Sequence, residues 1–401
     1  MADIYEQSVE FHRKNKGKLG VESRVSVKDK NDLSLVYTPG VAQVSREIER
    51  DVSESFELTW RGRTVAVISD GSAVLGLGNI GAAAGMPVME GKALLFKQFG
   101  GVDSVPVCVD LHSADELVKF VTAIAPSYGG INLEDIAAPI CFEVEDRLQN
   151  LGIPVVHDDQ HGTAIVVSAA LLNAAKVVGK KYSELKIVIS GAGAAGLAIA
   201  QMLLSVERES NHKSQILKFS NGVKVADVII LDSKGIITAE SGGLKGEFAK
   251  ITNLEKKAGG LAEALVGADA FIGVSKGGIL TKEMVKTMTK DAIVLGMANP
   301  DPEILPDEAR AGGARVVGTG RSDYPNQINN SLVFPGLFKG LLASKATRVT
   351  VGVRQAARDA LANFIEPVED KILPSMFDVG QADAIAKAVA VQVKIEGLER
   401  K

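Results

Sequence analysis

The chain has 401 residues, 46% of them hydrophobic and 41 of them glycine, which leaves room for two or three domains and suits a glycine-rich α/β protein. A formal net charge of -4 argues against a nucleic-acid surface, which needs clustered Lys and Arg to neutralise phosphates. The two cysteines, Cys108 and Cys141, form no CxxC pair, so a disulfide scaffold is not expected and a reducing, cytoplasmic compartment is.

Residues 1–13 are charged and lack an apolar h-region, so no secretory signal is expected. Residues 3–15 read as a polar helix and 17–20 as a loop. The β-branched runs at 64–69 and 104–109 predict buried strands, and 153–156 predicts another. Helical patterns at 91–99, 114–125 and 139–151 alternate with them, which means βαβ units and a parallel sheet. The most apolar stretch, 164–178, is interrupted by Ser168, Asn173 and Lys176. It reads as a buried helix, too short and too polar to span a bilayer, so no membrane partner is expected.

A second alternating region follows, with strands predicted at 185–190, 227–231, 270–274, 292–295 and 315–317. That rhythm predicts a Rossmann-type, doubly wound dinucleotide-binding domain. The polar residues 206–224 break it and read as a surface excursion. Beyond 336 the chain is helical again. The expected division is an N-terminal α/β substrate and catalytic domain over 1–160, the dinucleotide domain over 161–335, and a C-terminal helical segment over 336–401. That last segment is expected to pack on the first domain or on a partner subunit.

Two segments match GxGxxG. Gly76–Gly81 is separated from its strand by residues 70–75 and reads as a glycine-rich active-site loop. The other, Gly191-Ala192-Gly193-Ala194-Ala195-Gly196, follows the strand KIVIS directly and opens a helix-forming run. Its glycines allow the tight turn, the approach of a pyrophosphate and close helix–strand packing, with the helix N-terminus facing the phosphates. Asp232 ends the run DVIIL, where an acid accepts from ribose hydroxyls and favours NAD. Ser233 and Lys234 follow at once and suit a 2′-phosphate, so NAD and NADP both stay open.

Two acidic elements remain. In NLEDI, Asn132 reads as a helix N-cap with Glu134 and Asp135 in the first turn, or else as part of a site. In HDDQHGTA, capping explains one aspartate but not the pair Asp158 and Asp159 at the exit of a buried strand. Glu134, Asp135 and Asp159 together would supply hard oxygen donors suited to Mg²⁺ or Mn²⁺. His157 and His161 read as satisfied polar neighbours rather than ligands. Tyr37 lies in the turn YTPGV. Lys92 reads as a residue near a helix start, where it opposes the dipole. Near a cation, a desolvated lysine has a lowered pKa and serves as a base.

YTPGV, SDG before LGLGNIG, the EGK lysine, LEDI, HDDQHGTA, GAGAAG, MANP and NNSLVFPG occur in the order seen in malic enzymes. From about Ser26 to Phe338 the chain resembles the short bacterial-type branch of that family. The resemblance implies oxidative decarboxylation of L-malate to pyruvate with NAD or NADP and a divalent metal. It makes Tyr37 and Lys92 catalytic, with Asp158 as a proton-relay or orienting group. Glu134, Asp135 and Asp159 become metal ligands, while Asn299 of MANP and Asn330 hold the malate carboxylate. Where larger members carry an arginine in the DG–LGLG loop, this chain has Ala73, so a lysine, an asparagine or a residue of a second subunit must replace it. A homodimer is expected. The rival readings are an amino-acid or methylene-folate dehydrogenase, a non-catalytic dinucleotide-binding regulator, and a variant converting malate to lactate.

Overall fold

The computed structural model describes residues 3–74, 76–210 and 215–400. Strands β1 (Thr64–Ser69), β2 (Asp103–Cys108), β3 (Gly130–Leu133) and β4 (Val155–His157) form a parallel sheet in the order β2-β1-β3-β4. All six residues of β1 are buried, as a β-branched strand covered on both faces requires. The chain leaves β1 for β2 on one side and returns to β3 on the other, so a crevice opens beyond the C-terminal ends of β1 and β3. The residues of β3 were not expected to be a strand. GINL is too short for alternation to show, and Asn132, expected as a helix cap, is instead a fully buried strand residue.

The second sheet contains β5 (Lys186–Ser190), β8 (Asp227–Asp232), β9 (Gly235–Ile236), β10 (Ala270–Gly273), β11 (Ala292–Gly296) and β12 (Ala314–Thr319). Its order is β12-β11-β10-β5-β8-β9, parallel except for the short edge strand β9. Here the switch point lies between β5 and β10. The excursion at 206–224 contains a hairpin of β6 (Val206–Ser210) and β7 (Gln215–Phe219), and residues 211–214 at its tip lie outside the described residues.

The helix Asp158–Val178 begins where β4 ends and carries the chain from the first sheet toward the second. With 21 residues and a mean hydropathy of 1.4, it is long and apolar enough to cross a membrane, contrary to the expectation from 164–178 alone. Burial accounts for its composition instead, since 78% of the apolar window is enclosed by the protein. Its one central amide, Asn173, donates to the carbonyls of Ala362 and Ile372 at 2.8 and 2.9 Å, which satisfies its buried NH₂ group.

The C-terminal helix Phe334–Ala343 docks on the first layer, where Phe334 and Phe338 lie 4.7 and 5.3 Å from the ring of Phe96. One continuous core joins these helices to both sheets. The N-terminal segment is different. Helices Ile4–Asn15, Lys30–Val36 and Val41–Arg50 bury no residue at all.

Candidate active site

The first crevice is built from strand ends. Glu134 follows β3 directly, and its N–H still donates to the Ile68 carbonyl at 2.9 Å, so its carboxyl is carried by the sheet itself. Asp135 turns the chain with φ +53°. Its N–H donates to Asp159 Oδ2 at 2.8 Å, which brings the first turn of the long helix onto the β3 loop. One oxygen each of Glu134, Asp135 and Asp159 lies within 4.8 Å of the others. The convergence expected from two distant motifs is therefore present.

Lys92 projects into the same cluster. It lies in the last turn of helix Ala82–Leu95, not at a helix start, so the dipole argument for its placement fails. What holds it is charge: Nζ donates to Glu134 Oε1 at 2.6 Å and to Asp158 Oδ2, and it sits 4.3 Å from the centre of the Phe334 ring. Burial alone would lower its pKa, but Asp158 and Glu134 outweigh burial and raise it. The two carboxyls therefore hold the Lys92 ammonium in its charged form. The carboxyls strain the opposite way. Burial, only partly offset by Lys92, pushes Glu134 and Asp158 each up to about 7, and it raises Asp159 as well. Several buried carboxyls thus crowd one ammonium, an excess of negative charge that a hard divalent cation relieves. His157 is driven down to about 4 by burial and stays neutral beside them.

The second crevice opens onto the same space. A cavity of about 620 Å³ is lined by Asp135 and Asp159 on one side and by Ala194 and Ala195 of the GAGAAG turn on the other. Asn299 and Asn330 also line it, as does Ala73. The glycine turn has the form its sequence predicts. Gly191 sits at φ +120°, and a Cβ on Gly196 would fall 1.7 Å from the Gly191 carbonyl oxygen, so only glycine lets the helix start this close to the strand. Gly76 and Gly78 belong to a tight turn on the wall of the cavity, which is the active-site loop expected of the first GxGxxG. Asp232 does end β8, but its carboxylate already accepts from Lys245 Nζ at 2.8 Å and from the Lys234 N–H at 2.9 Å. The Lys245 bond comes first among the effects that hold it below the usual carboxylate range.

Like Asp232, Tyr37 is an expected site residue that does not line the cavity. It is 66% exposed on the N-terminal segment and is not among the residues lining the cavity.

Residues 160–396 match the family model described as malic enzyme, NAD binding domain, and residues 16–116 match malic enzyme, N-terminal domain. The chain belongs to the malic enzyme family. It is 48% identical to a bifunctional malic/malolactic enzyme of Bacillus subtilis, over 99% of this chain and 95% of that one. An NADP-dependent malic enzyme of Halomonas elongata is 41% identical over 100% and 96% of the two chains. Among solved structures, an NAD-dependent malic enzyme of Thermotoga maritima superposes with a TM-score of 0.89 at 44% identity, covering 97% and 99%. Membership removes the amino-acid and methylene-folate dehydrogenase readings.

In this malic enzyme chain the sequence reading missed the support behind the carboxylates. Asn132 Nδ2 donates to Glu134 Oε2 at 2.9 Å, orienting it from within the sheet. Glu145, 3% exposed, accepts from the His157 N–H and from the side chains of Gln160 and Arg208. One signal pointed to it: in helix Ile140–Leu148 Glu145 lies four residues after Cys141 and three before Leu148, on the apolar stripe.

Proposed function

We propose that this protein oxidatively decarboxylates L-malate to pyruvate and CO₂ with NAD or NADP, at a site that also needs Mg²⁺ or Mn²⁺ and that decarboxylates oxaloacetate. The observation carrying this reading is the shared cavity, in which Asp135 and Asp159 of the clustered carboxylate trio line one side and the dinucleotide turn lines the other. Glu134, Asp135 and Asp159 are the donors for the cation. A cation held there would supply Lewis-acid polarisation of the substrate oxygen, and a dinucleotide seated at the GAGAAG turn would supply the hydride acceptor.

The chain's own groups handle orientation and protons. Lys92 takes the C2 hydroxyl proton, and Asp158, in contact with Nζ, is placed to relay it. Asn299 and Asn330 orient the substrate carboxylate from the opposite wall. Tyr37 donates the proton that converts the enol to pyruvate.

Because Tyr37 lies outside its own cavity, we infer a homodimer in which the N-terminal segment of one chain reaches the site of the other. Exposed Leu35, Val36 and Tyr37 on a segment with no buried residue favour this. The free thiols Cys108 and Cys141 suit the cytoplasm. Both coenzymes remain in the proposal, since Asp232 favours NAD while Ser233 and Lys234 suit a 2′-phosphate.

The test is a spectrophotometric assay of malate with Mn²⁺, run in parallel with NAD and NADP, with pyruvate and lactate both measured. Pyruvate formed in step with reduced coenzyme is expected. Activity surviving exhaustive chelation would remove the metal, and lactate without net coenzyme reduction would replace the oxidative reading.

A further inference from the structure

Behind the carboxylate trio lies a second buried cluster of charge that the proposed chemistry does not use. Glu145 grips both ends of one short turn. Oε1 accepts from the His157 N–H at 3.1 Å, while Oε2 accepts from Gln160 Nε2 at 3.2 Å and lies 2.9 Å from His161 Nε2. Asp158 and Asp159 sit between those anchor points. An almost fully buried carboxylate needs a counter-charge. Arg208 supplies it, with Nη2 3.3 Å from Glu145 Oε2 and Nε 2.9 Å from Asp146 Oδ1.

Arg208 belongs to neither the first sheet nor the long helix. It comes from β6 of the hairpin inserted between the GAGAAG helix and β8, the excursion that lengthens the interval before Asp232. Its neighbour Glu207 faces the other way along the strand and accepts from Arg354 Nη2 at 3.1 Å. The Nη1 of Arg354 donates to His161 Nδ1 at 3.1 Å. His161 therefore accepts at Nδ1 and donates from Nε2 to Glu145, which is the neutral tautomer. It also matches the direction in which burial moves its pKa, downward.

We propose that Arg208 and Glu145 are positioning residues for the cation site, through which the hairpin of the dinucleotide layer holds Asp159 in register with Glu134 and Asp135. The inference rests on the reading that this trio holds a divalent cation. Through the hairpin, the coenzyme layer reaches back and fixes a donor of the first sheet's site. The Glu145 carboxylate fastens the turn, and Arg208 keeps that carboxylate charged and aimed. Without Arg208, Glu145 loses its counter-ion and the His157–His161 turn loses its anchor.

The test uses the full chain and reads Mn²⁺ binding directly, by the electron paramagnetic signal of free Mn²⁺, alongside NADH binding by fluorescence. For Arg208→Met the Kd for Mn²⁺ should rise about tenfold, the low end of what losing a direct partner of a metal ligand costs, because Arg208 acts through Glu145. The Kd for NADH should stay as in the wild type. Arg208→Lys keeps the charge but not the two-pronged geometry, so it should recover part of the loss. It also serves as the readout if the methionine variant does not fold. Wild-type Mn²⁺ affinity in either folded variant, or equal weakening of Mn²⁺ and NADH, would overturn the inference and leave the cation site standing. A wild-type protein that binds no Mn²⁺ would overturn both.

Discussion

Lys92 shows how much of this site is decided by neighbours rather than by residue type. Its ammonium is held by Glu134 and Asp158 at hydrogen-bond distance, and these two carboxyls keep its proton in place. A cation drawing off the charge of Glu134 removes one of those two holds. Lys92→Ala is therefore expected to lower the rate of malate oxidation roughly 10²–10⁴-fold, the usual share of a positioned base. Decarboxylation of added oxaloacetate, which needs no hydroxyl proton removed, should persist; assays of reduced coenzyme and of pyruvate separate the two steps. Glu145 makes a pH prediction of the other kind. Burial works against its carboxylate, but His161 and Arg208 outweigh burial and hold it well below the usual range. Its contribution to stability is thus present above the unfolded-state value of about 4.3 and is lost as pH falls toward the folded-state value. Glu145→Gln should lower the urea midpoint at pH 7 and flatten its decline between about pH 5 and 3; an acid limb identical to the wild type would contradict this.

At the level of elements, the sequence marked what is periodic and missed what is short or conditional. Strands β1, β5, β8 and β11 each carry a run of apolar residues that includes Val and Ile, and that hydrophobicity places them in the sheets. The four residues of β3 contain a glycine and an asparagine, so only pairing with β1 and β4 makes them a strand. That miss also misread Asn132 as a cap. The carboxylate trio was legible because each donor sits at the end of a strand or the start of a helix. The partners of Glu145 were not, since Arg208 and Arg354 are distant in sequence and meet the turn around it only in the packed chain. The GAGAAG turn carries a direct test. Gly196→Ala would place a methyl against the Gly191 carbonyl, so the helix must shift off β5. NADH binding should be lost while Mn²⁺ binding persists; unimpaired NADH affinity would mean the turn is not the coenzyme's seat.

For the whole molecule the open position is that of Tyr37. A chain that packs both of its sheets around large buried cores yet leaves its first helices without a buried residue is built to bury them elsewhere. If they cover a second copy, two inactive variants should rescue each other. Mixing Tyr37→Phe with Lys92→Ala, unfolded and refolded together, forms mixed dimers in which one of two sites has both residues intact. About a quarter of wild-type activity is then expected from random pairing. A mixture as inactive as its parents would place Tyr37 in its own chain's site, reached by a motion of the segment.

The helix Asp158–Val178 starts directly after the last residue of the first sheet and packs alongside the GAGAAG helix of the second. Asp159 is therefore carried by the helix that joins the layers, whereas Glu134 and Asp135 are fastened to β3. The gap across those three oxygens is a caliper on how that helix is set against the first sheet, with one jaw on each.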